Sequence, residues 1–140
     1  MRILIGALAV AMLAGCSTSA VPPSQARQAP ASQLTSFQTK PAGEYAEVQI
    51  IRDEGHTGSM CAIAIYVDGQ QAGRLNAGQK ATFYVQPGTL AIGAAYTGSG
   101  ICSMGSDRIE REATAKNGAV KKYRVSTGGD GRIDILPTTL

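Results

Sequence analysis

The chain has 140 residues, with 13 Lys+Arg against 10 Asp+Glu and a single His, a formal charge of +3. So small a basic excess, with 5% aromatics and no Trp, supplies neither the cationic groove nor the stacking platform of a nucleic-acid binder, and nucleic acid is not expected as a partner.

The first predicted element is a signal. "MRILIGALAVAMLAGCSTS" has one basic residue, Arg2, then an apolar run over residues 3–14, then small residues before Cys16. The run falls short of the roughly 20 apolar residues a bilayer-crossing helix needs, but it suits the apolar region of a secretory signal. Leu13-Ala14-Gly15-Cys16 resembles the lipobox of bacterial lipoproteins in all four positions. That resemblance implies removal of residues 1–15 as a signal peptide and acylation of the Cys16 thiol, with Cys16 as the first residue of the mature chain. One acyl chain gives only marginal, reversible binding, and the three carried by that family make a permanent anchor. Ser17 in place of Asp after the cysteine implies, by the same resemblance, the outer membrane on its periplasmic face, with the inner membrane as the alternative. Losing Arg2 leaves 12 basic and 10 acidic residues, a charge of +2.

Residues 16–43 are expected to form the lipidated cysteine and a flexible linker. They hold four of the six prolines and show no hydrophobic periodicity, and such polar, Pro-rich chain buries too little apolar surface to offset its ordering entropy. As polyproline II the stretch from Ser17 onward would reach roughly 80 Å, and as a coil about 30 Å. Residues 44–140 remain for one modest core.

That remainder reads as short strands and turns. In "EYAEVQII" Ala46, Val48 and Ile50 share one face, with Glu47 and Gln49 on the other. "CAIAIYV" sets Cys61, Ile63, Ile65 and Val67 on one face and ends at Asp68-Gly69, a hairpin dipeptide. "AGRL" follows, then "ATFYV" with Ala81, Phe83 and Val85 inward, the Pro87-Gly88 turn, and "TLAIGAAYT". "DRIEREATA" and "AVKKYRVST" are expected to pair as a hairpin through Asn117-Gly118, and "GGDG" leads to "RIDIL". Seven or eight short strands at about ten-residue spacing predict an all-β fold, a small antiparallel β-sandwich, with a partly open barrel as the alternative.

The stretch "AIYVDGQQAGRLNAGQKATFYVQPGTLAI" resembles the core of two groups of small bacterial domains, PEGA-like domains and the lipoproteins carrying the DUF2846 domain. The lipobox, the long N-terminal portion and Lys122-Tyr123-Arg124 favour the second. The resemblance implies a β-sandwich and carries over no catalytic or ligand residues.

Catalytic groups are not expected. His56 is the single histidine, and pairing with Cys61, Asp53 or Glu54 competes with its reading as a solvated loop residue; no nucleophile elbow or metalloprotease helix gives it a partner. Glu110 and Glu112 share a strand face, but Arg108 and Arg111 interleave them as on a polar strand. Asp130 and Asp134 supply two carboxylates where calcium takes six to eight oxygens. Lys121, Lys122, Arg124 and Arg132, with Arg108 and Arg111, form either a basic patch for lipid headgroups or an acidic partner, or a solvated face.

The remaining candidates are Cys61 and Cys102, flanked by Met60 and Met104. Once Cys16 is consumed by lipid two thiols remain, and in an oxidising compartment they are expected to form a disulfide. The alternatives are a soft-metal site for Cu(I) built from Met60, Cys61, Cys102 and Met104, and a redox or nucleophilic thiol, for which no activating neighbour is evident. The functional expectation is a lipid-anchored, non-catalytic binding or scaffolding module of the cell envelope, with no cofactor. It would be bound to the membrane through its N-terminus and able to engage an envelope protein. A periplasmic copper-binding or thiol-redox accessory protein is the alternative, and the oligomeric state stays open.

Overall fold

Apolar residues at every second position give each strand one face to bury, and two sheets with such faces satisfy each other. The computed structural model describes residues 18–104 and 107–140. Nine strands are described: β1 (Arg27–Gln28), β2 (Ala46–Arg52), β3 (Ala62–Val67), β4 (Gln70–Leu75), β5 (Gln79–Val85), β6 (Gly88–Thr97), β7 (Ile109–Ala115), β8 (Val120–Thr127) and β9 (Ile133–Pro137). They form a five-stranded sheet in the order β1-β5-β2-β8-β9 and a four-stranded sheet in the order β4-β3-β6-β7. This is the all-β sandwich that the alternation predicts. Val48, Ile50, Phe83 and Val125 of the first sheet and Ile63, Ile65 and Ile92 of the second are fully buried between the layers.

The hairpin β3–β4 forms as the dipeptide requires. Asp68 (φ 48°) and Gly69 (φ 79°) both take positive φ, the type I′ form whose twist matches the strands it joins. The Asp68 carboxylate also accepts the Ala91 N–H at 2.8 Å, tying the turn to β6.

Asn117-Gly118 behaves differently, and the expected hairpin of the strands on either side is not formed. β7 pairs with β6 in the four-stranded sheet, and β8 crosses to the other sheet, where it runs parallel to β2. Of the two turn residues only Gly118 (φ 72°) has positive φ, which rules out type I′. The turn is instead held by Tyr45 at the head of β2. The Tyr45 N–H donates to Asn117 Oδ1 at 3.2 Å, and the Gly118 N–H donates to the Tyr45 carbonyl at 2.9 Å. The five-stranded sheet is therefore mixed rather than wholly antiparallel.

The larger correction concerns the expected linker. From Thr18 to Gly43 the chain is laid along the sandwich. Ser19 bridges to Glu54, β1 pairs parallel with β5, and Leu34 bridges to Gly73. The Tyr84 N–H donates to the Phe37 carbonyl at 2.9 Å and the Thr35 N–H to the Ala72 carbonyl at 2.9 Å, so the segment meets the β5 edge, crosses to β4 and returns to β5. Val21 and Ala26 bury Ile51, which points away from the main core, while Ala29 enters that core and Leu34 and Phe37 pack against it. A Cβ on Gly73 would sit 2.9 Å from the Gln33 carbonyl oxygen, so the close approach of this segment to β4 depends on glycine there. Backbone pairing with a sheet edge and a few scattered apolar contacts hold the segment, and neither needs a periodic pattern. It also covers an edge that would otherwise be open. Cys16 and the signal region 1–15 lie outside the described residues.

Candidate functional site

Four pieces of chain meet at one end of the sandwich: Thr18, the loop between β2 and β3, the loop that leaves β6, and the loop between β8 and β9. A disulfide joins the middle two, linking Cys61, just ahead of β3, to Cys102 in the short 3-10 helix Gly100–Met104. Beside it project three apolar side chains, Met60 (89% exposed), Ile101 (76%) and Met104 (83%).

Beneath the disulfide lies a residue the expectations above leave out. Arg52 continues the inward series Ala46, Val48, Ile50 of β2, so its guanidinium is driven between the sheets, where the residue is 2% exposed. Nη1 donates to the carbonyls of Cys61 (2.7 Å) and Leu75 (2.8 Å), and Nη2 donates to that of Gly58 (2.7 Å). Burial pulls the group down to about 10, which leaves it a cation at neutral pH. The planar fork thus ties the start of β3, the end of β4 and the loop between β2 and β3 to one point. Gly58 itself sits at φ 70° beneath Tyr96, whose hydroxyl would lie 2.5 Å from an added Cβ. That hydroxyl donates to the Gly131 carbonyl at 2.8 Å, which brings in the loop between β8 and β9.

Asp53, one residue on, faces the outer side of the sheet and is likewise buried. It accepts from Arg124 Nε at 3.0 Å, from Arg124 Nη2, and from Thr18 Oγ1 at 3.0 Å. The hydrogen bond to Asp53, aided by the carboxylate charge, holds the Arg124 guanidinium above its ordinary range. Thr18 Oγ1 in turn accepts the Thr127 N–H at 2.9 Å, and the Thr18 N–H donates to the Thr127 carbonyl at 3.1 Å. The chain is thereby fixed to this end of the sandwich two residues after Cys16. These ionic groups are saturated by one another and by backbone, an arrangement suited to holding loops in place.

The other sequence candidates are dispersed. His56 is exposed, with its carbonyl accepting from Ser59. Asp53 is occupied by Arg124 and Thr18, and Cys61 is oxidised, so neither supports His56 as a base. Glu110 and Glu112 stand exposed on β7, and Glu110 pairs with Arg108 at 3.2 Å. Asp134 accepts from Arg111 at 2.8 Å, while Asp130 accepts the Arg132 N–H at 3.0 Å, so the two carboxylates are used separately. Of the basic candidates, Arg124 is drawn to Asp53, Arg108 stacks over the Tyr66 ring just ahead of β7, Arg111 lies on β7, and Lys122 reaches the Leu140 carbonyl at 3.0 Å. Cys61 and Cys102 do come together beside Met60, with Met104 at the end of the 3-10 helix that holds Cys102, but as a disulfide the two cysteines present no thiolate to a soft metal. Among the described residues no three His, Cys, Asp or Glu side chains converge as metal ligands.

Next to the disulfide an open concavity of about 590 Å³ runs toward the N-terminal segment, its wall including Gln33, Met60, Arg74, Asn76, Thr97 and Cys102. Gln33 Nε2 donates to the Arg74 carbonyl at 2.9 Å and to Gln79 Oε1 at 2.9 Å, so one wall is set by the segment expected to be a linker. The signal for Arg52 was present in the alternation, since it is in phase with Ile50. Thr18 carried no such signal. No protein-family model, curated protein or solved structure matches the chain.

Proposed function

We propose that this chain is a lipid-anchored protein of the bacterial cell envelope whose sandwich serves as a non-catalytic binding or scaffolding module. The observation that carries the reading is the sequence Leu13-Ala14-Gly15-Cys16 behind an apolar signal. The Cys61–Cys102 disulfide supports it, because such bonds persist in oxidising compartments such as the periplasm. The buried ionic groups support it as well, because Arg52, Asp53 and Arg124 are committed to holding chain rather than left facing a cleft. The periplasmic face of the outer membrane is the proposed location.

Mass spectrometry of the full-length protein expressed in a Gram-negative host tests the anchor. The expected product begins at an acylated Cys16 and fractionates with the outer membrane, and Cys16→Ser abolishes both. A product retaining residues 1–15, or cleaved without acylation, would refute the anchor. For the module reading, crosslinking in cells followed by purification of the full-length protein is expected to recover a defined envelope complex. Turnover of an envelope substrate by the purified protein would overturn it.

A further inference from the structure

The end of the sandwich that carries the disulfide is the end at which the chain leaves for its N-terminus. Thr18 is pinned there by Thr127 and Asp53, and its Cα packs against the loop at Gly55. Cys16 is two residues away, a span of at most about 7 Å of chain. A lipid on Cys16 would therefore have no long linker to separate it from the folded domain. The same end exposes Met60, Ile101 and Met104 on loops clamped by the disulfide. Three large, highly exposed apolar side chains on two loops joined by one disulfide give this end apolar surface that the sandwich itself does not bury. The loops at this end carry Glu54, His56, Asp130 and Arg132, and Arg74 lines the concavity beside Met60, so the charges are of mixed sign and put no strong field of one sign against an anionic surface. The exposed Val120 lies at the opposite end, where β8 begins beside the head of β2.

We infer that Met60, Ile101 and Met104 form a membrane-docking tip that enters the lipid interface beside the acylated cysteine and sets the orientation of the sandwich on the bilayer. This rests on the reading of Cys16 as the lipidated residue. The anchor supplies the affinity. The tip contributes direction, since side chains at the end of the domain to which the lipid is attached meet the headgroup region without further cost in translational freedom. Interfacial apolar groups of this kind seat about 5–10 Å into the headgroup and acyl boundary.

The chain has no tryptophan, so a single introduced one is an unmixed probe. Met60→Trp, Ile101→Trp, Met104→Trp and Val120→Trp are made separately in the full-length, acylated protein and reconstituted in phosphatidylethanolamine/phosphatidylglycerol vesicles with or without brominated acyl chains. All four positions are exposed, and circular dichroism confirms an unchanged fold. Emission from positions 60, 101 and 104 is expected to shift to the blue and to lose more than half its intensity with brominated lipid, while position 120 stays water-like. If the acylated protein floats with the vesicles but all four probes remain water-like, docking is wrong and the anchor stands. If the protein carries no acyl group and does not float, the anchor reading fails and docking fails with it. A blue shift that needs no vesicles and grows with protein concentration would assign the tip to a second copy of the chain and overturn the lipid reading.

Discussion

Arg52 shows how one side chain in the wrong chemical class for its position can organise a whole end of a domain. Its place in the inward series of β2 asks for an aliphatic residue, and what the fold receives is a cation shared among the carbonyls of Cys61, Leu75 and Gly58. Truncation leaves those acceptors in a site water reaches poorly, at about 1–3 kcal/mol for each buried group left unpaired. Arg52→Ala is therefore expected to lower the unfolding free energy by at least about 3 kcal/mol in a urea titration. Arg52→Lys should recover only part of it, because a compact ammonium lacks the planar fork that spans three acceptors. A wild-type midpoint for the alanine variant would show that the guanidinium is incidental. The disulfide acts on the same loops by a separate route. Its sequence separation of 41 corresponds to about 4 kcal/mol in the chain-entropy model, so Cys102→Ser should reduce stability by that order even with Arg52 in place.

β3 and β4, joined by Asp68-Gly69, were legible in the sequence because alternation and turn chemistry agree on a local hairpin. Asn117-Gly118 was misleading because its outcome is decided by Tyr45, which binds Asn117 from 72 positions away and Gly118 beside it and steers β8 to the side of β2. The pairing of Cys61 with Cys102 followed from counting thiols, whereas the saturation of Asp53 by Thr18 and Arg124 depends on three segments meeting and leaves no local pattern. The N-terminal segment was hidden for a related reason. Val21, Ala26, Ala29, Leu34 and Phe37 have no common period, and each fills a gap set by a different strand. This yields a direct test. Deleting residues 17–43 would leave the stability unchanged if they were a linker; as an integral part of the domain, their loss is expected to cost at least about 3 kcal/mol, from the exposure of Ile51 and the apolar surface under Ala29 and Leu34. Comparative urea unfolding of the two chains reads the difference.

With residues 18–43 packed on the sandwich, the chain between an acylated Cys16 and the folded body shrinks from the tens of ångströms of a free coil to two residues. If Cys16 is acylated as proposed, a partner of the module would meet it close to the bilayer, and the concavity between Arg74 and the disulfide lies at that same end of the sandwich. The parallel pairing of β2 with β8 bears on how such a body comes into being. Ile50 pairs with Tyr123, so the central ladder of the larger sheet joins segments separated by most of the domain. A polypeptide emerging N-terminus first presents β2, β3, β4 and β5 early, but the seat for β8 stays vacant until the last fifth of the sequence arrives. Thr18 cannot reach its bonds with Thr127 before then. Large loop-closure entropy must be met before these pairings give any return, which places folding among the slower, millisecond-to-second β proteins. Ending the chain at residue 119 should therefore abolish cooperative unfolding altogether, as read by circular dichroism, rather than trim it. Completion of the C-terminal strands becomes the gate through which the nascent chain must pass, and until it closes the hydrophobic flank of β2 is available to any chaperone that attends the emerging polypeptide.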